Sequence, residues 1–217
     1  MNWHEKLVIK YKRNVSKLSL IIACILVACV PVLVTINNEC QLSPPAMKNP
    51  VALRTNTFGI IGTYNTPQNA LGIFISGDVA YIADDTSGLQ CINITNPASP
   101  LLLGTCDTPG LAYDVFVSGN VAYVADASYG LQCINITDPA SPTLLGTCDT
   151  PGYGRGVFVS GNVAYIADWG SGLQCVNISN PASPTLLGAC DTPGNAFHVF
   201  VSGNVAYVAD ASYGLQC

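Results

Sequence analysis

Apolar and polar positions repeat along most of this chain with a period of 42 residues. Shifting the sequence by that distance aligns four Thr-Pro pairs, which begin at Thr66, Thr108, Thr150 and Thr192. One unit reads TPGLAYDVFVSGNVAYVADASYGLQCINITDPASPTLLGTCD, in which clusters of Gly, Asn, Asp and Pro separate four short runs rich in Val, Ile, Tyr and Leu. Such runs are typical of β-strands and such clusters of turns, so the pattern predicts four strands per unit.

The hydrophobic pattern within a unit also predicts how these strands pack. In the second unit we expect strands over 113–118, 121–126, 131–137 and 143–149. Connections this short leave no room for crossover helices, so neighbouring strands should pair antiparallel. The runs are apolar on both alternating faces, which suits a sheet covered by other sheets on both sides. The sequence therefore predicts an all-β fold, a β-propeller of four-stranded antiparallel blades with one repeat per blade.

Long strings within the repeat also match a known family. The segments VSGNVAYVAD and GLQCINITDPASP, followed by a Leu-Gly-Thr strand, closely resemble the LVIVP repeat of prokaryotic surface-exposed β-propellers. The resemblance covers 58–217, as three full units and two partial ones. It implies the propeller fold and a place at the cell surface. Cysteine replaces the family's usual aliphatic residue in the third and fourth strands, so the interactions that stabilise the blades can differ from those of the family.

The partial units lie at the two ends of the repeat region. Residues 58–65, FGIIGTYN, align with a fourth strand, and Cys217 falls inside a third strand, which gives sixteen predicted strands in total. Sixteen strands could close as four blades if the N-terminal strand completes the last one. Every other unit continues past GLQC, however, so we expect the chain to be truncated at its C-terminus and the full protein to carry more blades.

The N-terminal part differs in composition from the repeats. Five of the eight Lys and Arg residues lie within 1–17, a basic segment expected to stay in the cytoplasm. The uncharged run 18–36 has 19 residues and as a helix spans roughly 28 Å, enough to cross a bilayer once. A Pro-containing linker, 37–57, connects this run to the propeller at 58–217.

Three interpretations of the run 18–36 remain open. It is an uncleaved signal anchor, a cleaved signal peptide, or a lipoprotein signal, because Leu26-Val27-Ala28-Cys29 resembles a bacterial lipobox that would be acylated on Cys29. All three export the repeats. We therefore expect a propeller on the extracytoplasmic side of the cell membrane, held by a single pass or by a lipid anchor.

The charge of the repeat region excludes one class of partner. From residue 58 onward the chain has eleven aspartates and a single Arg155, a net charge of −10. A surface this acidic repels phosphate backbones, so we expect no nucleic-acid partner.

Six cysteines form three pairs with a spacing of 15 residues. The pairs are Cys91 with Cys106, Cys133 with Cys148, and Cys175 with Cys190. Each pair lies on consecutive strands joined by an NPASP or DPASP turn, and folding that hairpin about its centre sets the two cysteines opposite each other. One disulfide per blade is the prediction for an exported protein. The alternative is that all six are buried thiols that replace Val between blades.

Four aspartates end the second strand of each unit, just before a turn that contains Gly. They are Asp84, Asp126, Asp168 and Asp210. No D-x-D-x-D-G spacing accompanies them, and the repeats contain one histidine, so we predict no metal site. We expect these carboxylates to accept backbone N–H bonds and fix the turn.

The most variable stretches of the repeat indicate where a ligand would bind. Loops that enter the first strand should meet the second-to-third turns on one face of the propeller. The loop-face residues predicted to form a contact surface are Tyr113, Asp114, Tyr153, Arg155, Phe197 and His198 from the entering loops, with Tyr129, Trp169 and Tyr213 from the turns. The alternative is that they vary only because loops tolerate change.

The sequence offers little for catalysis. It has no Ser-His-Asp or Cys-His arrangement and no phosphate-binding Gly loop, so we expect neither an enzyme nor a cofactor. The favoured function is a surface interaction or adhesion scaffold with an unknown protein or glycan partner. The alternatives are a propeller that binds a small molecule or carbohydrate, and the scaffold of an enzyme whose site lies in a missing C-terminal part.

Overall fold

A computed structural model of the protein describes residues 59–217. Cys29 and the predicted segments 1–17, 18–36 and 37–57 lie outside the described residues. No helix within 59–217 has the length and hydropathy needed to cross a membrane. The described residues contain fifteen strands and one short 3-10 turn, which confirms the predicted all-β class with antiparallel sheets.

The strands form four sheets, one for each repeat, and we refer to them as blades 1 to 4. Blade 1 contains β1 (Gly72–Ser76), β2 (Val79–Ala83), β3 (Leu89–Asn93) and β4 (Leu101–Cys106). Blade 2 contains β5 (Ala112–Ser118), β6 (Val121–Asp126), β7 (Leu131–Asn135) and β8 (Thr143–Cys148). Blade 3 contains β9 (Gly156–Ser160), β10 (Val163–Ala167), β11 (Leu173–Asn177) and β12 (Thr185–Cys190). Blade 4 contains β13 (Ala196–Ser202), β14 (Val205–Asp210), the 3-10 turn Ala211–Tyr213 and β15 (Leu215–Gln216).

Strand limits agree with the prediction for the second unit to within two residues. The largest difference is in β7, which ends at Asn135 rather than at 137. The Asn135 side-chain oxygen accepts bonds from both the amide and the hydroxyl of Thr137, at 3.0 and 2.7 Å. This side-chain turn replaces the strand ladder, because a short polar side chain competes for the backbone donor.

Apolar cores lie between the blades, as the two-sided hydrophobic pattern predicts. The core between blades 1 and 2 joins Tyr81 and Leu89 of one sheet to Val115 and Val117 of the next. The core between blades 2 and 3 repeats this arrangement, and a smaller one lies between blades 3 and 4. Each blade is therefore stabilised chiefly by its two neighbours in sequence.

The first strands of the blades are linked by a row of phenylalanines. Phe74, Phe116, Phe158 and Phe200 have ring centroids 4.8, 5.1 and 4.7 Å apart in order along the row. The tilted rings suit edge-to-face contacts. Phe200 ends the row with 59% of its surface exposed. Blades 1 and 4 do not meet within the described residues, so the four sheets form an open arc.

The predicted strand at 58–65 is not observed. Residues 59–65 have no strand pairing, and Ile60 and Ile61 are largely exposed. Gly62 nevertheless packs against the Pro97-Ala98 turn of blade 1, as Gly104 of β4 packs against the corresponding turn of blade 2. The segment thus occupies a fourth-strand position but pairs with no strand in the described part of the chain.

The predicted cysteine pairing is wrong. The observed β3–β4 register pairs Cys91 with Gly104 and Cys106 with Leu89, two residues away from the register that would oppose the two cysteines. The two cysteines are diagonal neighbours, for which Cα separations of about 7–8 Å exceed the span of a disulfide. The same register separates the pairs in blades 2 and 3. The cysteines of the described chain are free thiols: Cys91, Cys106, Cys133, Cys148, Cys175, Cys190 and Cys217.

Burial makes the inner cysteines unreactive. Burial, with a smaller contribution from the nearby Cys106 and Cys148, raises the pKa of Cys91 and of Cys133 to about 12. A thiol with such a pKa stays protonated at neutral pH and is a poor nucleophile. These side chains therefore act as small hydrophobic residues in the inter-blade cores.

Candidate binding site at the loop face

The loops that enter each blade meet the second-to-third turns of the preceding blade, as predicted. Isolated antiparallel bridges join Asp85 to Ala112, Ala127 to Gly154, and Trp169 to Ala196. The amide of Ala112 donates to the carbonyl of Asp85 at 2.9 Å, and the reverse bond is 3.2 Å. Backbone bonds thus join successive blades at one face, which we call the loop face.

The turn aspartates hold the entering loops in place. Asp126 is fully buried, and its carboxylate accepts bonds from the Thr108 hydroxyl at 2.7 Å and the Gly110 amide at 2.9 Å. Asp168 and Asp210 make the same pair of bonds in the next two units. The predicted backbone N–H bonds are therefore present, but they attach the entering loop rather than fix the Gly-containing turn.

The centre of the loop face is a stack built around one cation. Tyr113, Arg155 and Phe197 occupy the same repeat position in blades 2, 3 and 4. The guanidinium carbon of Arg155 lies 4.1 Å from the ring centroid of Tyr113 and 5.6 Å from that of Phe197. Tyr113 and Phe197 both lie at β-bulges, which turn their side chains out of the regular ladder.

Trp169 closes the stack from the side. Its ring centroid lies 4.4 Å from the guanidinium carbon of Arg155 and 4.8 Å from the Phe197 ring, edge to face. Trp169 has a left-handed φ of +51°, which only a few per cent of non-glycine residues adopt. Blades 2, 3 and 4 thus surround Arg155 with three rings, an arrangement we call the cation–aromatic stack, and cation–π attraction stabilises it.

The next repeat position alternates between large and small residues. Asp114 lies against Gly72 of blade 1, and its carboxylate accepts bonds from the Val115 and Val157 amides at 2.9 and 3.0 Å. His198 lies against Gly156 in the same way. Burial raises the pKa of Asp114, while the two amide bonds and the positive charge of His198 lower it. Asp114 therefore joins blade 2 directly to blade 3.

The other predicted residues lie apart from the cation–aromatic stack. The Tyr129 ring packs on Gly110 and the Tyr213 ring on Gly194, each within its own turn and entering loop. Tyr153 is half-exposed. These tyrosines add to the loop face without entering its centre. Within 59–217 no cluster of three or more metal-ligating side chains occurs.

Sequence reasoning missed one feature near the loop face. A cavity of about 380 Å³ adjoins the stack at the open side of blade 4, and Phe197 lines both. The remaining lining residues are Ala209, Asp210, Ala211, Gly214 and Leu215. In blades 2 and 3 the following blade covers the equivalent positions. The repeat pattern therefore does not indicate a cavity there.

The buried aspartates predict how stability depends on pH. Burial raises the folded-state pKa of Asp114, Asp126 and Asp168, although hydrogen bonds to each carboxylate lower it in part. The folded protein then binds protons more readily than the unfolded chain. The free energy of unfolding should therefore rise as pH falls from 7 towards about 4.5, and fall as pH increases through the folded-state pKa values.

Urea denaturation at both pH values measures this effect. Asp114→Asn should reduce the pH dependence more than the matched control Asp138→Asn, which removes an exposed carboxylate and controls for the general loss of negative charge. Equal effects of the two variants would contradict a role for burial.

Comparison with known sequences and structures identifies the repeat. The profile of the LVIVD repeat family matches four consecutive segments, 67–108, 109–150, 151–192 and 193–216. The repeat resemblance drawn from the sequence is thus confirmed under the description LVIVD. No curated protein matches the chain.

Solved structures with similar folds share little sequence with it. The computationally designed Ika4 protein is 8% identical with a TM-score of 0.60, covering 73% of this chain and 96% of its own. The computationally designed Ika8 protein is 8% identical with a TM-score of 0.56, covering 68% and 44%. The Myceliophteria thermophila Cps50 (Swd1) β-propeller domain is 11% identical with a TM-score of 0.55, covering 67% and 49%. The last two are matched over about half their length.

Proposed function

Since the chain belongs to the LVIVD repeat family, we propose that it is a binding scaffold that recognises a protein or glycan partner through its loop face. The cation–aromatic stack carries this proposal. Arg155 is the only Lys or Arg in 59–217, and three blades supply the rings around it. Most other repeat positions carry nearly the same residue in every unit. The stack positions carry different side chains in different units, which indicates that the loop face is the binding surface.

The composition of the stack fits recognition of a macromolecule. Tyr, Trp and Arg are the residues that contribute most of the binding energy in protein interfaces. All members of the stack are half-buried, so their positions are set before a partner arrives. Preorganised side chains lose little entropy on binding. The buried Nε of Arg155 has no hydrogen-bond partner among the described residues.

A small-molecule site has weaker support. The rings and the guanidinium pack on one another, and of the four stack residues only Phe197 lines the adjoining cavity of about 380 Å³. Small ligands bind preferentially in clefts that bury most of their area. A broad partner that covers the stack and the surrounding tyrosines suits this geometry better.

We further propose that the scaffold is displayed on the extracytoplasmic side of the membrane and performs no catalysis of its own. The basic segment 1–17 followed by the uncharged run 18–36 supports this orientation. Protease treatment of intact cells should digest the repeats and leave the N-terminal segment protected. Complete protection of the repeats in intact cells would contradict display.

Binding to two arrays tests the recognition proposal, one of glycans and one of purified extracellular proteins. The full chain in mild detergent should bind a subset of probes on one array, and Arg155→Ala should weaken that binding about tenfold or more. Arg155→Lys keeps the charge but loses the planar stack, and should bind weakly as well. Asn120→Ala, an exposed residue in the β5–β6 turn at the far end of the strands, is the matched control. Equal binding by all variants, or none by the wild type, would contradict the proposal.

A further inference from the structure

The loop face has carboxylates along its periphery. Asp107, Asp149 and Asp191 directly follow the fourth strands of blades 1, 2 and 3, and all three are exposed. The backbone of Asp107 packs on Gly88 in the second-to-third turn, which places it at the loop face. The fourth strand is the edge of each sheet that lies opposite the first strand, and the first strands lie side by side along the phenylalanine row. We call these three aspartates the acidic rim.

The only cation of the described repeats lies inside this rim. Arg155 directly precedes β9, a first strand, and is half-buried. Tyr113 comes from the preceding blade and Phe197 from the following one, so rings approach the guanidinium from two sides, with Trp169 4.4 Å from the guanidinium carbon. Within 59–217 the structure shows contacts of this group with rings, but no ion pair with a carboxylate.

The guanidinium has donors that the rings do not use. Rings attract a cation through their faces, whereas the N–H groups of a guanidinium point outwards in its own plane. Nε of Arg155 is buried, but Nη1 and Nη2 are not among the buried unpartnered atoms, and no described residue accepts a hydrogen bond from them. These two nitrogens therefore face solvent as a fork whose geometry matches the two oxygens of a carboxylate.

The surrounding charge selects among the anions that could bind this fork. From residue 58 onward eleven aspartates and one arginine give a net charge of −10. A phosphate group carries a charge of about −1.5 to −2, and an acidic polysaccharide repeats its charge along the chain, so this surface repels both. A carboxylate with basic groups around it meets the opposite situation. It pairs with the central cation while its neighbours pair with the acidic rim.

We propose that the loop face binds a basic protein surface that presents one exposed Asp or Glu side chain at its centre. This inference rests on the proposed binding function and specifies its partner. The partner's carboxylate accepts bonds from Nη1 and Nη2 of Arg155, and its Lys and Arg side chains lie over the acidic rim. Tyr113 and Trp169 keep water from the central pair, which strengthens it. An Arg flanked by Tyr and Trp inside a charged rim is typical of protein interfaces.

Peptide binding to the full chain in mild detergent tests this inference. The probe is acetyl-KGGGEGGGK-amide, in which glycines separate one carboxylate from a lysine on each side, and acetyl-KGGGQGGGK-amide lacks only the carboxylate. Fluorescence of Trp169, which lies 4.4 Å from the guanidinium carbon, measures binding in a Trp3→Phe background without the other tryptophan. At low salt the glutamate peptide should bind about tenfold or more tightly than the glutamine peptide. Equal affinities would overturn the inference.

Variants of Arg155 locate the carboxylate. Arg155→Ala should bind the two peptides with the same affinity, because the fork is gone while Trp169 still reports binding. Arg155→Lys should lose most of the preference as well, since a point charge cannot form the planar paired bonds. Far-ultraviolet circular dichroism checks that both variants are folded. If Arg155→Ala keeps the preference for glutamate, the carboxylate binds elsewhere and the assignment is wrong.

A pair of double variants tests the acidic rim. Asp107→Asn with Asp149→Asn should weaken binding of the glutamate peptide about threefold and make it less sensitive to salt. The matched control, Asp78→Asn with Asp138→Asn, removes the same charge from exposed turns at the far end of the strands. Asparagine is already present at both of these positions in other units, and this variant should bind like the wild type. Equal weakening by the two double variants would show that only net charge matters.

Two further probes identify the source of the carboxylate. An oligosaccharide of glucuronic acid, and the peptide with phosphoserine in place of glutamate, should both bind more weakly than the glutamate peptide. Tighter binding of either one would overturn a protein carboxylate as the ligand. Arg155-dependent binding on the arrays without a preference for the glutamate peptide would refute this inference and leave the proposed function standing. Absence of binding on both arrays would refute the two together.

Discussion

Replacing Asp126 with alanine should lower the free energy of unfolding by roughly 2–4 kcal/mol. The substitution leaves the Thr108 hydroxyl and the Gly110 amide without their acceptor. Each unsatisfied buried group costs about 1–3 kcal/mol, and removal of a buried charge offsets part of the sum. The loop that joins blades 1 and 2 loses its attachment, so the loss should be visible in the urea midpoint.

The first blade provides a matched control for this variant. Asp84 is equally buried, but it accepts only the Gln68 amide at 3.1 Å, and its second oxygen has no partner. Thr66 bonds instead to the carbonyl of Gln68. Asp84→Ala should therefore cost about half as much or less. A loss for Asp84→Ala as large as that for Asp126→Ala would contradict the hydrogen-bond account.

Gly104→Val should destabilise the protein by about 1–3 kcal/mol or more. A side chain at this position would place its Cβ 2.6 Å from the carbonyl oxygen of Ala140 and 2.7 Å from that of Pro139. Both are backbone atoms of the next blade's turn, so no side-chain rotation relieves the clash. The turn must move away from β4, and the contact between blades 1 and 2 loosens. Thermal unfolding monitored by circular dichroism measures the loss.

Gly188→Val is the control, because Gly188 holds the same position in β12. Nothing lies within 4 Å of a Cβ built on it. Valine favours strands and glycine weakens them, so this variant should be neutral or stabilising by about 0.5–1 kcal/mol. If both valine variants destabilise equally, the strand itself and not the turn of the next blade excludes the side chain.

The period and the turn residues were sufficient to predict the fold. Four strands per unit follow from where Gly, Asn and Pro interrupt the apolar runs, and the two-sided hydrophobicity requires cover on both faces of each sheet. The cysteine pairing was not predictable in this way. It depends on the register of the β3–β4 hairpin, which the spacing of the cysteines does not reveal. A difference of two residues between the assumed and the observed register changes opposed pairs into diagonal ones.

The sequence predicted which face carries the candidate site, but not the contacts among its side chains. Variable loops marked Tyr113, Arg155, Trp169 and Phe197, and the structure brings these four together. Their contact depends on bulges and on the left-handed φ of Trp169, which periodicity does not reveal. The cross-blade bond from the Val157 amide to Asp114 was likewise invisible, since it joins residues 43 positions apart.

The left-handed turn residue has a consequence for how this protein can change. Asp85, Ala127, Trp169 and Ala211 share one φ and differ in side chain. In the first three, the bridge from this residue to the next blade is formed by paired backbone bonds. Duplication of one 42-residue unit therefore copies the backbone bridge between blades. The side chain at the left-handed position can differ from blade to blade without changing that bridge. Under the proposed binding function, a substitution at this position would change the loop face one blade at a time, and blade 3 carries Trp169 there.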